Sequence, residues 1–243
     1  MRPSVGVFVV TCLTHVNPVI PMPEPSSVVM AKPGAAEIEA LLVRALEGDE
    51  RAFAALFDAQ RERLRRLVRL RLDRRLSGRV DSDDILQDAY LEARKRLADY
   101  ARDPQAMPFH LWLRLVTGQK LADLHRFHLG AQARDAGMEV SLHRGAFPQA
   151  SSASLAAQLL GRITNASKAA IRAEHTLILQ EALNGLDPID REVLTLRHFE
   201  YLSNDETALV LGLSKKGASN RYIRAIRRLK EILSSIPGMN EGW

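Results

Sequence analysis

The chain of 243 residues contains one cysteine, Cys12, so no disulfide can form within it. That suits a reducing cytoplasm and excludes a zinc site built from cysteines. Seven histidines are present, but none stands in H-E-x-x-H spacing. His125 and His128 lie three apart and are read as a surface or groove pair rather than metal ligands. No metal and no cofactor is expected. Aromatics make up only 5% of the residues, so the cores should be mostly aliphatic. Glycine and proline are modest while Leu, Ala and Arg dominate, which favours an all-α protein. Apolar runs are short: "VGVFVVTCLTHV" near the N-terminus cannot span a bilayer, and no membrane insertion is expected. No nucleophile stands with organised electrostatic partners, so the chain is not expected to be an enzyme.

What is present is charge in blocks. The net charge is +5 and the pI about 9.6. Nine arginines fall within 61–79 against Glu62 and Asp73. Within 81–99 the acids lead, with Asp81, Asp83, Asp84, Asp88, Glu92 and Asp99 against Arg94, Lys95 and Arg96. The last third turns basic again. Such alternation suits one polyanionic partner and one basic protein partner.

Residues 1–36 read as a disordered extension, with the Pro-rich "NPVIPMPEPSS" after the apolar run; Met30 is a second candidate start, which the intact mass of the native protein decides. From Glu37 the apolar positions recur every three or four residues, marking amphipathic helices. Gly48 suits a C-terminal cap and Asp49 a new N-cap. Asp81 or Ser82 starts a helix to about Tyr100, with acids in its first turn where the helix dipole favours them. Pro108 opens another, whose stripe is Phe109, Trp112, Leu113, Val116 and Leu124. These four helices predict one bundle over 37–130. Residues 131–170 are rich in Ser and Ala and read as a flexible linker, with a short helix over 155–163. A second small domain follows over 171–236. Its first helix is lined by Ile171, Ile178, Ala182, Leu183 and Leu186. Asp187 and Pro188 start the next, where Val193, Leu194, Leu196 and Phe199 spread widely enough to predict burial on several sides.

Residues 203–233 then carry helix-turn-helix spacing. Ser203 and Glu206 make a capping box, Gly212 permits a positive φ, Ser214 caps the second helix, and Ala208 and Ala218 are small where the helices cross. The second helix holds seven basic residues in the twenty-one of 213–233. Its apolar face is Ala218, Tyr222, Ala225, Ile226, Leu229, Ile232 and Leu233. Lys216, Asn220, Arg224 and Arg227 point the other way, as base edges and phosphates in a major groove require.

A helix-turn-helix alone does not name a job, but the N-terminal motifs add to it. "DSDDILQDAYLEARKRL" resembles region 2.2 of the sigma-70 family. "FHLWLRLVTGQKLADLHRFHL" is similar to regions 2.3 and 2.4 of its extracytoplasmic-function (ECF) group. "LDPIDREVLTLRHFEYLSNDETALVLGLSKKGASNRYIRAIRRLK" resembles region 4. With no region 3 apparent, the resemblance implies an ECF sigma factor: all-α, two small helical domains joined by a flexible linker, binding core RNA polymerase through the β′ clamp helices and the β flap. Asp84, Gln87 and Asp88 would meet the clamp helices. Lys120, Arg126, Phe127 and His128 would serve the -10 element, with Trp112 in the core. Many ECF members carry Asn where Gln119 stands, so the base preferred at -10 stays open. Lys216, Ser219, Asn220, Arg221 and Arg224 would read the -35 element of promoter DNA, Arg221 being nearer the helix flank and suited to phosphate. The arginines of 61–79 fit DNA phosphate, core polymerase or an acidic anti-sigma factor. The competing reading is a helix-turn-helix regulator that binds duplex DNA without serving as a polymerase subunit; a resolvase-type recombinase fits an all-helical N-terminal domain poorly.

Overall fold

In a computed structural model the described residues are 34–129, 147–163 and 169–234, and all of them lie within one compact unit. They are helical, with no strand among them. The expected N-terminal extension, apart from its last residues, lies outside the described residues.

Four helices form the first bundle: α1 (Ala35–Leu46), α2 (Glu50–Arg71), α3 (Ser82–Ala101) and α4 (Phe109–Leu129). Gly48 turns the chain at φ 98° between the first two. The Asp49 carboxylate then accepts from the Arg51 and Ala52 amides, satisfying donors that the start of α2 leaves without partners. Asp81 caps α3 in the same way. The core is aliphatic, and its few aromatics sit where helices meet. Phe53 and Phe57 of α2 hold Tyr90 of α3 at 5.1 and 5.2 Å. Tyr100 packs on Phe109 and Trp112, fixing the end of α3 to the start of α4. Trp112 is buried, as its stripe predicts.

The second half comprises α5 (Ser152–Ile163), α6 (Ala169–Asn184), α7 (Pro188–Leu194), α8 (Asn204–Leu211) and α9 (Lys215–Ser234). The short helix expected over 155–163 is present as α5, but it is packed rather than part of a loose connection. Leu155, Ala156, Leu159 and Leu160 of α5 are buried in one cluster with Leu179 and Leu183 of α6, Leu229 of α9 and Leu70 of α2. An amphipathic segment beside an unfilled apolar face gains more by packing than by remaining solvated. The rest of the expected linker, 131–146 and 164–168, lies outside the described residues. Leu179 and Leu183 of α6 and Leu186 just beyond it are buried, while Ile178 and Leu177 are exposed. Leu183 and Leu186 are thus buried as expected, and Leu179, one position on, takes the place expected of Ile178.

After α7 the helix widens into a π turn over Thr195–Phe199, closed by the Glu200 amide on the Thr195 carbonyl at 3.0 Å. The extra residue brings Leu196 and Phe199 both inside, which accounts for the wide apolar spread of this helix. It also delivers Glu200 to a buried position.

Candidate nucleic-acid interface

The helix-turn-helix is built by local chemistry. The Ser203 hydroxyl accepts from the Glu206 amide at 3.2 Å, and the Glu206 carboxylate accepts from the Ser203 amide at 2.6 Å. Gly212 stands in the left-handed region at φ 66°, and the Leu213 amide returns to the Ala208 carbonyl at 2.9 Å, ending α8. Across the turn the Asn204 side-chain amide donates to the Lys215 carbonyl at 2.9 Å, and Lys215 pairs with Asp205 at 2.6 Å. Ser214 then accepts from the Gly217 amide at 3.0 Å. Ala208 and Ala218 are both buried where the helices cross.

On α9, Ala218, Ala225 and Leu229 face the core, and Tyr222 and Ile226 pack against it. Tyr222 is fixed further by a 2.9 Å hydrogen bond to His198 and by stacking on that ring. Leu233 falls among the side chains that are not described. Lys216, Asn220, Arg224 and Arg227 are exposed, and Ser219 is half-buried beside them. Arg221 is engaged elsewhere. Its guanidinium donates to the buried Asp190 carboxylate at 2.6 Å and lies 3.4 Å from Asp187, so it ties α9 to α7. Arg224 keeps only a distant contact to Asp190 at 3.9 Å. Spacing set Arg221 apart at the helix flank but gave no sign of its partner, since Asp190 precedes it by thirty-one residues.

At the end of α4, Phe127 is 83% exposed and touches His128 edge to face. An aromatic ring so open to water offers a stacking surface. Arg126 pairs with Asp123 on its own helix, and Lys120 with Glu92 of α3 at 3.3 Å. Gln119 accepts from Arg96 at 2.6 Å, which holds its amide against α3. The two expected histidine partners separate. His128 is exposed, whereas His125 is buried, its Nε2 accepting from the Asp73 amide at 3.2 Å. Burial pushes the His125 pKa down. Among the described residues no cluster of three or more His, Cys, Asp or Glu could hold a metal.

Asp84, Gln87 and Asp88 are exposed on α3, on the side away from Ile85, Ala89 and Ala93. Leu91, three residues past Asp88, continues their stripe and is 51% exposed. Sequence reading passed over it, although the i, i+3, i+4, i+7 series from Asp84 reaches it directly. The arginines of 61–79 divide. α2 ends at Arg71, which is buried; Arg65 pairs with Asp83 at 2.7 Å and Arg75 with Asp73 at 2.9 Å. Arg69, Arg74 and Arg79 line an open groove beside the first turn of α3 and α5.

A helical bundle joined to a helix-turn-helix with an open basic face defines a DNA-binding transcription protein. Residues 176–229 match the family described as "Sigma-70, region 4". The chain is 31% identical over 200 residues to the RNA polymerase sigma factor NccH of Alcaligenes xylosoxydans xylosoxydans, covering 81% of this chain and 95% of that protein. It is 30% identical over 202 residues to the sigma factor CnrH of Cupriavidus metallidurans, covering 80% and 93%. The solved structure of CnrH in complex with the cytosolic domain of CnrY is similar in fold, with a TM-score of 0.50 at 25% identity over 82% of this chain and 98% of that one. Mycobacterium tuberculosis SigD, an ECF sigma factor, is 27% identical over 194 residues, covering 80% of this chain and 82% of that protein. The chain belongs to the ECF group of the sigma-70 family of RNA polymerase sigma factors. It is a sigma factor that directs transcription initiation, and the reading as a regulator outside the polymerase is set aside.

Proposed function

We propose that α4 and α9 read separate promoter elements while α3 holds core polymerase. At -10, Phe127 and His128 stack on unpaired bases, and Lys120 and Arg126 follow the backbone. At -35, Asn220 and Arg224 contact base edges, while Lys216 and Ser219 contact phosphate or flanking bases. Arg221 acts chiefly as a positioning residue, through Asp190, and binds phosphate with whatever reach remains. Asp84, Gln87, Asp88 and Leu91 form the patch for the clamp helices of β′: an acidic rim with an apolar anchor suits a basic helical partner. The β flap is the partner expected for the second half. The observation that carries this reading is the open polar face of α9 on a fully capped helix-turn-helix.

In domain terms, α1–α4 form the region 2 module, expected over 37–130, and 171–236 the region 4 module, with α5 supporting it. A relative solved with a protein partner supports an anti-sigma factor for this chain as well, and the site of action is the cytoplasm. Among the described residues no helix is long and apolar enough to cross a membrane. The test is capture of the chain by purified bacterial core RNA polymerase. Stoichiometric capture supports the assignment of α3, and its loss in a variant of the α3 patch localises it. Capture that persists in that variant moves the contact elsewhere.

A further inference from the structure

One side chain of α9 takes no part in the fold and none in the charge pattern. Ile223 is 52% exposed. The other described apolar side chains of this helix turn inward: Ala218, Ala225 and Leu229 are buried, Tyr222 and Ile226 pack on the core, and Ile232 is half-buried. Folding gives no reason for isoleucine here. A β-branched residue is a poorer helix former than the Lys, Arg or Glu found elsewhere on α9, and an apolar side chain left in water gains nothing from packing. A lone exposed apolar residue is ordinary on a protein surface, so its position has to decide what it does.

That position is among the residues that face DNA. Measured around the helix axis from the buried Ala218, at about 100° per residue, Lys216, Arg227, Asn220 and Arg224 lie at about 160°, 180°, 200° and 240°. Ile223 lies at about 140°, within the same outward arc, with Ser219 at about 100° on its other side. Arg221 lies at about 300°, on the flank, where its 2.6 Å bond to Asp190 holds it. Along the axis Ile223 stands about 4.5 Å beyond Asn220 and about 1.5 Å short of Arg224. It is therefore an apolar group set into an otherwise polar reading surface.

The major-groove edges of the base pairs offer hydrogen-bond donors and acceptors and a single apolar group, the 5-methyl of thymine. A donor or acceptor pressed against Ile223 loses water and gains no partner, whereas a methyl group gains by leaving water. We propose that Ile223 is a specificity-determining residue that packs on the 5-methyl group of one thymine in the -35 element, about one base step from the base that Asn220 contacts. The element thus carries an A·T pair at that place, and the methyl group itself is what is read. This rests on the reading above that α9 lies at -35.

Holoenzyme formed from core polymerase and the full chain first selects duplexes from a library randomised at -35. Each thymine of the selected element, on either strand, is then replaced by deoxyuridine, which keeps the base pair and removes only the methyl. One position should lose about fourfold in affinity, as expected for one buried methyl group. Ile223→Ala should bind the thymine duplex about fourfold more weakly and should bind thymine and deoxyuridine at that position alike. With cytosine placed there, 5-methylcytosine should bind better than cytosine to the native chain and no better to the variant. Ile223 is exposed and alanine is the better helix former, so the variant should keep its fold, which its melting curve checks. An element without an A·T pair, deoxyuridine tolerated at every position, or a methyl dependence that survives Ile223→Ala would each overturn the proposal. A loss in Ile223→Ala that is equal for all sequences would overturn it too, and would make the residue a contact to the sugar-phosphate backbone. Failure of the -35 reading looks different: no sequence is selected there, Asn220→Ala changes nothing, and this proposal falls with it. Failure of this proposal alone leaves Asn220→Ala altering the selection while the methyl has no effect.

Discussion

Arg221 and Arg224, one helical turn apart, show how burial divides like residues. Arg221 is paired with a buried carboxylate, and Arg224 is left to the solvent. Replacing Arg224 with Ala should therefore cost about 1–3 kcal/mol in duplex affinity and relax preference at one base position. Lys216→Ala should instead weaken all sequences alike and reduce the salt slope by about one. Titration of a set of -35 duplexes at two salt concentrations separates the two; a uniform loss for Arg224 would make it a phosphate contact. His125 gives a second prediction at this scale. Its pKa is lowered by burial, so the unfolded chain takes the proton first as pH falls. Its contribution to stability is complete above the ordinary histidine value of about 6.5 and is lost as pH drops towards the folded value. His125→Gln should flatten urea-unfolding stability between about pH 5 and 7 relative to the native chain. An unchanged slope would place the proton elsewhere. Glu206 acts lower on the scale. Its hydrogen bond with His110 outweighs burial and, with the Ser203 amide, holds it at about 2, so what it contributes fades only as pH falls from about 4.5 through that value. In the buried pair, desolvation alone would raise Glu200, but Arg114 and Arg71 beside it more than reverse this and keep it charged.

At the scale of elements, the chain was most legible where short-range chemistry decides. Asp49, Asp187, Ser203 with Glu206, Gly48 and Gly212 each act at the end that their residue type suggests. The four-helix order of the first bundle and the crossing of α8 and α9 follow from the same signals. Less was legible where partners are remote in sequence. The π turn, the burial of α5 and the tie from Asp190 to Arg221 all depend on which surface the element meets, and periodicity carries no record of that surface. Among the candidate site residues the exposed faces of α3 and α9 could be read from spacing. The pairing of Lys120 with Glu92 could not. Two predictions belong to this scale. Ser203→Ala removes the acceptor for the Glu206 amide and should destabilise the chain by about 1 kcal/mol, seen as a lower denaturation midpoint. Gln87→Ala with Asp88→Arg should weaken core polymerase binding while leaving the melting curve in place, and Leu91→Glu should add to the loss. Binding unchanged in both variants would remove the α3 patch from the interface.

For the whole molecule, the same helices face two tasks. Packed together, they bury Arg71, Arg114 and Glu200, with Glu192 half-buried against Arg71. Removing one partner from such a buried set costs about 3–5 kcal/mol, because the remaining charge stays uncompensated. Glu200→Ala should therefore lower the stability of the chain much more than Ser203→Ala does. The account rests on division of promoter reading between two modules. The measurement that tests it most directly is transcription by core polymerase plus this chain from a library randomised at both elements. It predicts that transcripts need the chain, that Phe127→Ala alters preference at -10 alone, and that Asn220→Ala alters it at -35 alone. Transcripts independent of the chain, or substitutions that change neither preference, would contradict it.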